Sequence, residues 1–186
     1  MSPYNSLKEW GSVSKALHWA LFVLVMAQVL MGIVIYFLDD EVQEDFDLLL
    51  AIWPYHEGIG LTVLPVAIAA FIWRLRNIRP EPVLMPRWQQ ILSRATHESI
   101  YVLIILLPLV GMVRTQAYGF PITYFGLFQF PKFMEKSESV LAITTQMHRG
   151  MGFLLTWLLV LHIAGALKHH FIDKDITLVR MLPGRS

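Results

Sequence analysis

Four runs of predominantly apolar residues, approximately 16–38, 48–73, 90–113 and 140–167, dominate this chain. Each reaches the roughly 20 residues an α-helix needs to cross the hydrocarbon core of a bilayer. The runs predict an all-α membrane protein, a four-transmembrane-helix bundle forming one membrane domain over residues 1–186. With 55% hydrophobic residues, 16% charged residues and a mean hydropathy of +0.53, the chain is too apolar for water alone, so lipid must be part of its solvent. Pro54, Pro65 and Pro108 fall inside the second and third runs. Membrane helices tolerate such prolines because neighbouring groups re-satisfy the freed carbonyls, and kinks are expected there.

Lys8 and Lys15 precede the first run, which resembles a signal peptide in its charge. Its apolar part is longer than the roughly 7–15 residues of a cleavable segment, so a retained first helix is expected. Charge then sets the orientation. Arg74, Arg76, Arg79, Arg87 and Arg94 crowd the connection between runs two and three, and Lys168, Lys174, Arg180 and Arg185 follow run four. The positive-inside rule places these, and hence both termini, in the cytoplasm. The first connection, with Asp39, Asp40, Glu41, Glu44, Asp45 and Asp47, is acidic, as suits the opposite side. The third connection, from Arg114 to Ser139, carries six aromatic side chains between Tyr118 and Phe130, a composition suited to lying along the outer interface. The net charge of +1 gives no sign of a nucleic-acid partner.

The chain has no cysteine. That removes disulfides, zinc-thiolate sites, iron–sulfur clusters and thioether-linked haem together. Histidine remains as the metal-ligating residue present in quantity. Ionisable groups inside a membrane span are costly and are functional candidates by default. His148 and His162 lie 14 residues apart in run four. Fourteen helical steps return almost to the same face while rising about 21 Å, so the two share a face at two depths.

Facing ligands must then come from other helices. His56 lies about as far past the outer start of run two as His148 does past that of run four, which pairs them. His18 near the inner start of run one and His162 near the inner end of run four form the second pair. HEGIG at 56–60 and HRGMG at 148–152 both place glycines two and four residues after the histidine, where a bulky planar group could approach the backbone. Two neutral imidazoles facing each other across a bundle suit six-coordinate haem iron.

A lone membrane histidine serves more often as a polar packing contact, but four at matched depths argue for ligation. A zinc or metal-transport site would need carboxylates and ligands converging on one centre, and Glu57 is the sole acid near the outer pair. His97 opens run three on the cytoplasmic side and is read either as interfacial or as a neighbour of the inner centre. His169 and His170 follow the apolar end of run four and are read as interfacial. All three could exchange protons with a quinone, because an imidazole titrates near physiological pH.

Six local sequences occur in order along nearly the whole chain: ALHW around His18, YHEGIG around His56, ATHESIYVL around His97, MHRGMG around His148, LHIAGALKHHF from His162, and the tail DKDITLVRML. Together they resemble the bacterial cytochrome b561 family of small di-haem inner-membrane proteins. The resemblance implies b-type haem, two per chain, and electron exchange with the membrane quinone pool. It implies His18 and His162 as axial ligands of the cytoplasmic-side haem, and His56 and His148 as those of the periplasmic-side haem. One branch of that family oxidises periplasmic superoxide and reduces ubiquinone.

The expected function is therefore transfer of electrons across the membrane between a periplasmic-side donor or acceptor, superoxide among the candidates, and the quinone pool. A positive mouth built from Arg114, Lys132, Lys136 and Arg149 would favour an anionic donor. The alternative is a haem b membrane-anchor subunit for a periplasmic oxidoreductase such as a hydrogenase or formate dehydrogenase, docking through the acidic and aromatic outer loops. A proton or metal-ion transporter lacks the acidic, water-lined pathway it would need.

Overall fold

The computed structural model describes residues 2–38 and 42–184, so Asp39, Asp40, Glu41 and Arg185 lie outside the described residues. Its four long helices are α1 (Ser12–Phe37), α2 (Gln43–Arg76), α3 (Arg87–Tyr118) and α4 (Glu138–Lys168). All four are long and apolar enough to cross a membrane. Each extends beyond its apolar run because polar residues continue the helical ladder into the interface. Arg74 and Arg76 occupy the last turn of α2, and Glu44 and Asp45 its first, where their charges complement the helix dipole.

Side-chain contacts fix the up-and-down order. Near the termini, the Trp73 indole N–H donates to Ser14 Oγ at 3.0 Å, joining the end of α2 to the start of α1. Arg74 pairs with Glu98 in the first half of α3, and its guanidinium lies 4.7 Å from the centre of the Tyr101 ring. At the opposite end, Gln28 of α1 donates to the His56 carbonyl of α2, and Arg114 of α3 donates through Nε to Thr145 Oγ1 of α4 at 3.1 Å.

The buried core consists of Leu21 and Val25 from α1, Val63, Ala67 and Ala70 from α2, Leu103 and Ile104 from α3, and Leu155 from α4. The fourth helix contributes one residue because it packs chiefly on α3 and meets α1 at few places. Outward-facing leucines, phenylalanines and tryptophans on all four helices need no protein partner where the surrounding solvent is lipid.

The third connection carries structure that its aromatic composition did not predict. Helix α3 ends on Gly119 at φ 103°, whose N–H bonds the Gln116 carbonyl while Phe120 N–H bonds that of Thr115. This six-to-one and five-to-two closure needs a left-handed residue, which glycine supplies without steric cost. A short hairpin follows, with β1 (Thr123–Tyr124) antiparallel to β2 (Phe128–Gln129). Phe125 in its turn has φ 52°, a costly conformation for a bulky residue. Its ring folds down onto Gly58 of α2, where any Cβ would come within 2.7 Å of the ring.

Candidate functional site: two histidine pairs at two depths

Along α4, His148, Leu155 and His162 recur every seven residues, so a single stripe carries imidazole, apolar core and imidazole in turn. The His148 ring faces His56 of α2 with ring centres 6.2 Å apart and an interplanar angle of 70°. The His162 ring faces His18 of α1 at 6.1 Å and 59°. The two matched pairs thus meet across the loosely packed side of the bundle, between α4 and the helices it touches least.

The separations have a chemical meaning. Two imidazoles bound end-on to one metal at about 2.0 Å each, with each ring centre about 1.1 Å behind its nitrogen, would hold the ring centres about 6.2 Å apart. That spacing, met at two depths, fits a metal between each pair and also lies within the roughly 4.5–7 Å of edge-to-face ring contacts. Nδ1 of His56 is buried without a hydrogen-bond partner. Such an orphan costs about 1–3 kcal/mol, which a group engaging the rings offsets. Both pairs therefore fit a six-coordinate metal between axial imidazoles, the geometry of a bis-histidine haem.

A tetrahedral metal site fits less well. Among the described residues, the group of three potential ligands brought within 4.8 Å of one another is His169, Asp173 and Asp175, which contains none of the paired histidines. The Glu57 carboxylate turns away from the outer pair and accepts from Thr123 N–H and Oγ–H through Oε2, each at 2.7 Å. It anchors the hairpin.

The glycines of HEGIG are occupied by protein neighbours. Gly58 receives the Phe125 ring, and a Cβ on Gly60 would lie 3.1 Å from Gln28 Nε2. The close approaches to the outer imidazoles come instead at Gly111 of α3 and Gly32 of α1. A Cβ there would lie 3.3 Å from His148 Cε1 and 3.8 Å from His56 Cε1, respectively. Neither belongs to a histidine motif; the available signal was an isolated glycine within a long apolar run. Cβ atoms on Gly150 and Gly152 would meet nothing within 4 Å.

His97 joins the inner pair, its ring centre 4.8 Å from that of His162. Its Nδ1 lies 2.6 Å from the Ser93 carbonyl, which can only accept, so Nδ1 carries a proton. His169 lies in a π-helical turn, His169–Asp173, that continues α4, and its Nδ1 donates to Asp175 Oδ2 at 2.6 Å. Burial would raise the Asp175 carboxyl, but hydrogen bonds from Thr177 and His169 outweigh it and hold that group below its ordinary range.

At the outer end the four cations named from the sequence differ in their surroundings. Arg114 is half-buried against the Trp53 ring at 5.3 Å, and Arg149 lies 5.8 Å from the Tyr36 ring centre. Lys132 is paired with Glu135 at 2.7 Å, and the stem of Lys136 packs beside Gly119.

A family model described as prokaryotic cytochrome b561 matches residues 9–184. The chain is 29% identical to cytochrome b561 homolog 2 of Escherichia coli (strain K12), over 98% of this chain and 95% of that protein. Homolog 1 of the same strain is 29% identical over 70% of this chain and 74% of its own length. The probable superoxide oxidase CybB of Yersinia pestis is 29% identical over 69% of this chain and 73% of its own length.

Proposed function

The chain belongs to the prokaryotic cytochrome b561 family, and on that premise we propose that it holds two haems b and passes electrons across the bacterial inner membrane between an outer-side partner and the quinone pool. Family membership makes it a b-type haem membrane protein of electron transport. The observation that carries the two-centre reading is the ring separation, 6.1 Å in one pair and 6.2 Å in the other. Haem bound at these pairs supplies one-electron redox chemistry.

The chain's own residues do the rest. His18 with His162, and His56 with His148, offer two imidazoles per centre. Gln28 fixes the backbone at His56 by donating to its carbonyl. Leu21, Val25, Val63, Ala67 and Leu155 fill the layer between the pairs with apolar atoms. That layer excludes water, so electrons have a route of about 20 Å along the helix axes while hydrated protons do not. The arginine-rich connection and both termini are assigned to the cytoplasm, which makes His18 and His162 the inner pair.

For the outer-side donor we take superoxide, on the likeness to a probable superoxide oxidase and on the two arginines near that end. Two superoxide anions each release one electron and leave as dioxygen, and one quinone takes two electrons and two protons to become a quinol. Arg114 and Arg149 raise the local anion concentration through their positive field. In the test, detergent-purified protein is given a superoxide source and ubiquinone. Quinol should form at a rate that falls with added salt and with Arg149→Gln. Oxidation of superoxide no faster than by free haem would overturn this choice of donor.

A further inference from the structure

We propose that Arg114 receives a carboxylate of the group held between His56 and His148, and so fixes which edge of that group faces outward. The inference rests on the haem reading above, since haem b carries two propionate carboxylates on one edge of its ring. The chain itself shows a layer of three side chains one helical turn outward of the outer pair. Trp53 precedes His56 by three residues on α2, Thr145 precedes His148 by three on α4, and Arg114 follows Gly111 by three on α3. Three residues advance a helix by about 4.5 Å and return close to the same face. Gly111 is where α3 approaches the His148 ring, so Arg114 stands next along that approach. The layer closes on itself: the Arg114 guanidinium lies 5.3 Å from the Trp53 ring centre, and its Nε donates to Thr145 Oγ1 at 3.1 Å.

These contacts hold the guanidinium without neutralising it. Among the described residues no carboxylate pairs with Arg114, and its two Nη groups have no acceptor. Glu57, next to His56 in the sequence, bonds Thr123 through Oε2 and leaves Oε1 buried without a partner, so it does not supply the counter-charge. Arg149 adds a second positive charge nearby, and the Arg114 charge acts on both outer imidazoles. A half-buried cation with no counter-ion is costly, and a guanidinium with two uncommitted Nη groups matches the two oxygens of a carboxylate. A carboxylate neutralised at Arg114 does not repel an incoming anion, and the exposed Arg149 keeps its field.

The test uses detergent-purified holoprotein carrying haem with isotope-labelled propionates. Redox-difference infrared spectra and a potentiometric titration are recorded at the step of the haem that His56→Ala removes. Arg114→Gln should displace the labelled carboxylate bands. It should also shift that haem's reduction equilibrium about tenfold toward the oxidised form, or about 59 mV for one electron, the effect of removing one nearby positive charge. Arg114→Lys keeps the charge without the planar fork, so the potential should return to within about threefold of wild type while the bands stay displaced. Arg149→Gln should leave the bands at their wild-type positions. If Arg114→Gln loses the outer haem, the bands of Arg114→Lys decide. Labelled bands unmoved by substitution of Arg114 overturn the proposal, whatever the potential does. A wild type from which His56→Ala removes no haem overturns the haem reading itself and takes the proposal with it.

Discussion

Removing the Glu57 carboxylate should release the β1–β2 hairpin from the outer end of the bundle without unfolding the helices. Thr123 donates to Glu57 Oε2 through both N–H and Oγ–H at 2.7 Å, the shortest ties between β1 and α2 among the described residues, beside a 3.3 Å contact of Tyr124 OH with Thr62 Oγ1. Each bond, with the cost of leaving its buried donor unsatisfied, is worth about 1–3 kcal/mol, and water entering at the exposed loop returns part of that. Glu57→Ala should therefore make hairpin opening easier by about 2–4 kcal/mol, or about 30- to 700-fold in the opening equilibrium. Amide exchange reads this at Leu127 and Phe130, whose N–H groups bond the Tyr124 carbonyl at 2.9 Å and the Ile122 carbonyl at 2.8 Å. Glu57→Gln retains an acceptor oxygen and should stay within about fivefold of wild type. Protection in Glu57→Ala within threefold of wild type would refute the anchoring role.

Three further outcomes are expected. Gly111→Ala should perturb the optical spectrum of the outer centre alone, because its Cβ would lie 3.3 Å from His148 Cε1, whereas Gly32→Ala, at an ordinary 3.8 Å from His56, should be nearly silent; equal effects would oppose the packing account. The tail contact at Asp175 should persist at neutral pH and be lost in acid: its folded carboxyl titrates below the ordinary value, so its stabilisation is present above the unfolded range and disappears as pH falls through the folded one. Tail amide exchange measured from pH 7 to pH 3 checks this, and loosening already at pH 6 would contradict it. His97→Ala should leave two haems in place while shifting the potential of the inner one, since His97 contacts His162 from α3; loss of a haem would make it a ligand instead.

The membrane architecture was legible because apolar runs of spanning length admit few other folds, and the matched depths of the histidines pointed to ring pairs that the fold brings near each other, His56 with His148 and His18 with His162. Helix ends were less legible. Arg74, Arg76 and Glu44 sit in helical turns beyond the apolar runs, because polar residues form helix as readily as apolar ones at an interface. The hairpin was missed because its strands are two residues each and depend on Glu57, Gly58 and Phe125, a tertiary arrangement with no periodic signature. Nor could the sequence separate the roles of glycines two and four residues after a histidine, since Gly58 and Gly60 face protein neighbours while Gly32 and Gly111 approach the rings. His97 remained ambiguous for a similar reason. Whether a histidine near a helix end faces inward or the interface depends on helix rotation, which its position in the chain does not fix.

The central claim is that two histidine pairs hold two haems independently. Its most direct measurement is a pyridine-haemochrome titration of detergent-purified wild type, His56→Ala and His162→Ala, alongside their reduced-minus-oxidised spectra. The account predicts two haems b per wild-type chain and one in each variant, with the surviving haem differing spectrally between the two variants. One haem in wild type, or content unchanged by either substitution, would contradict it.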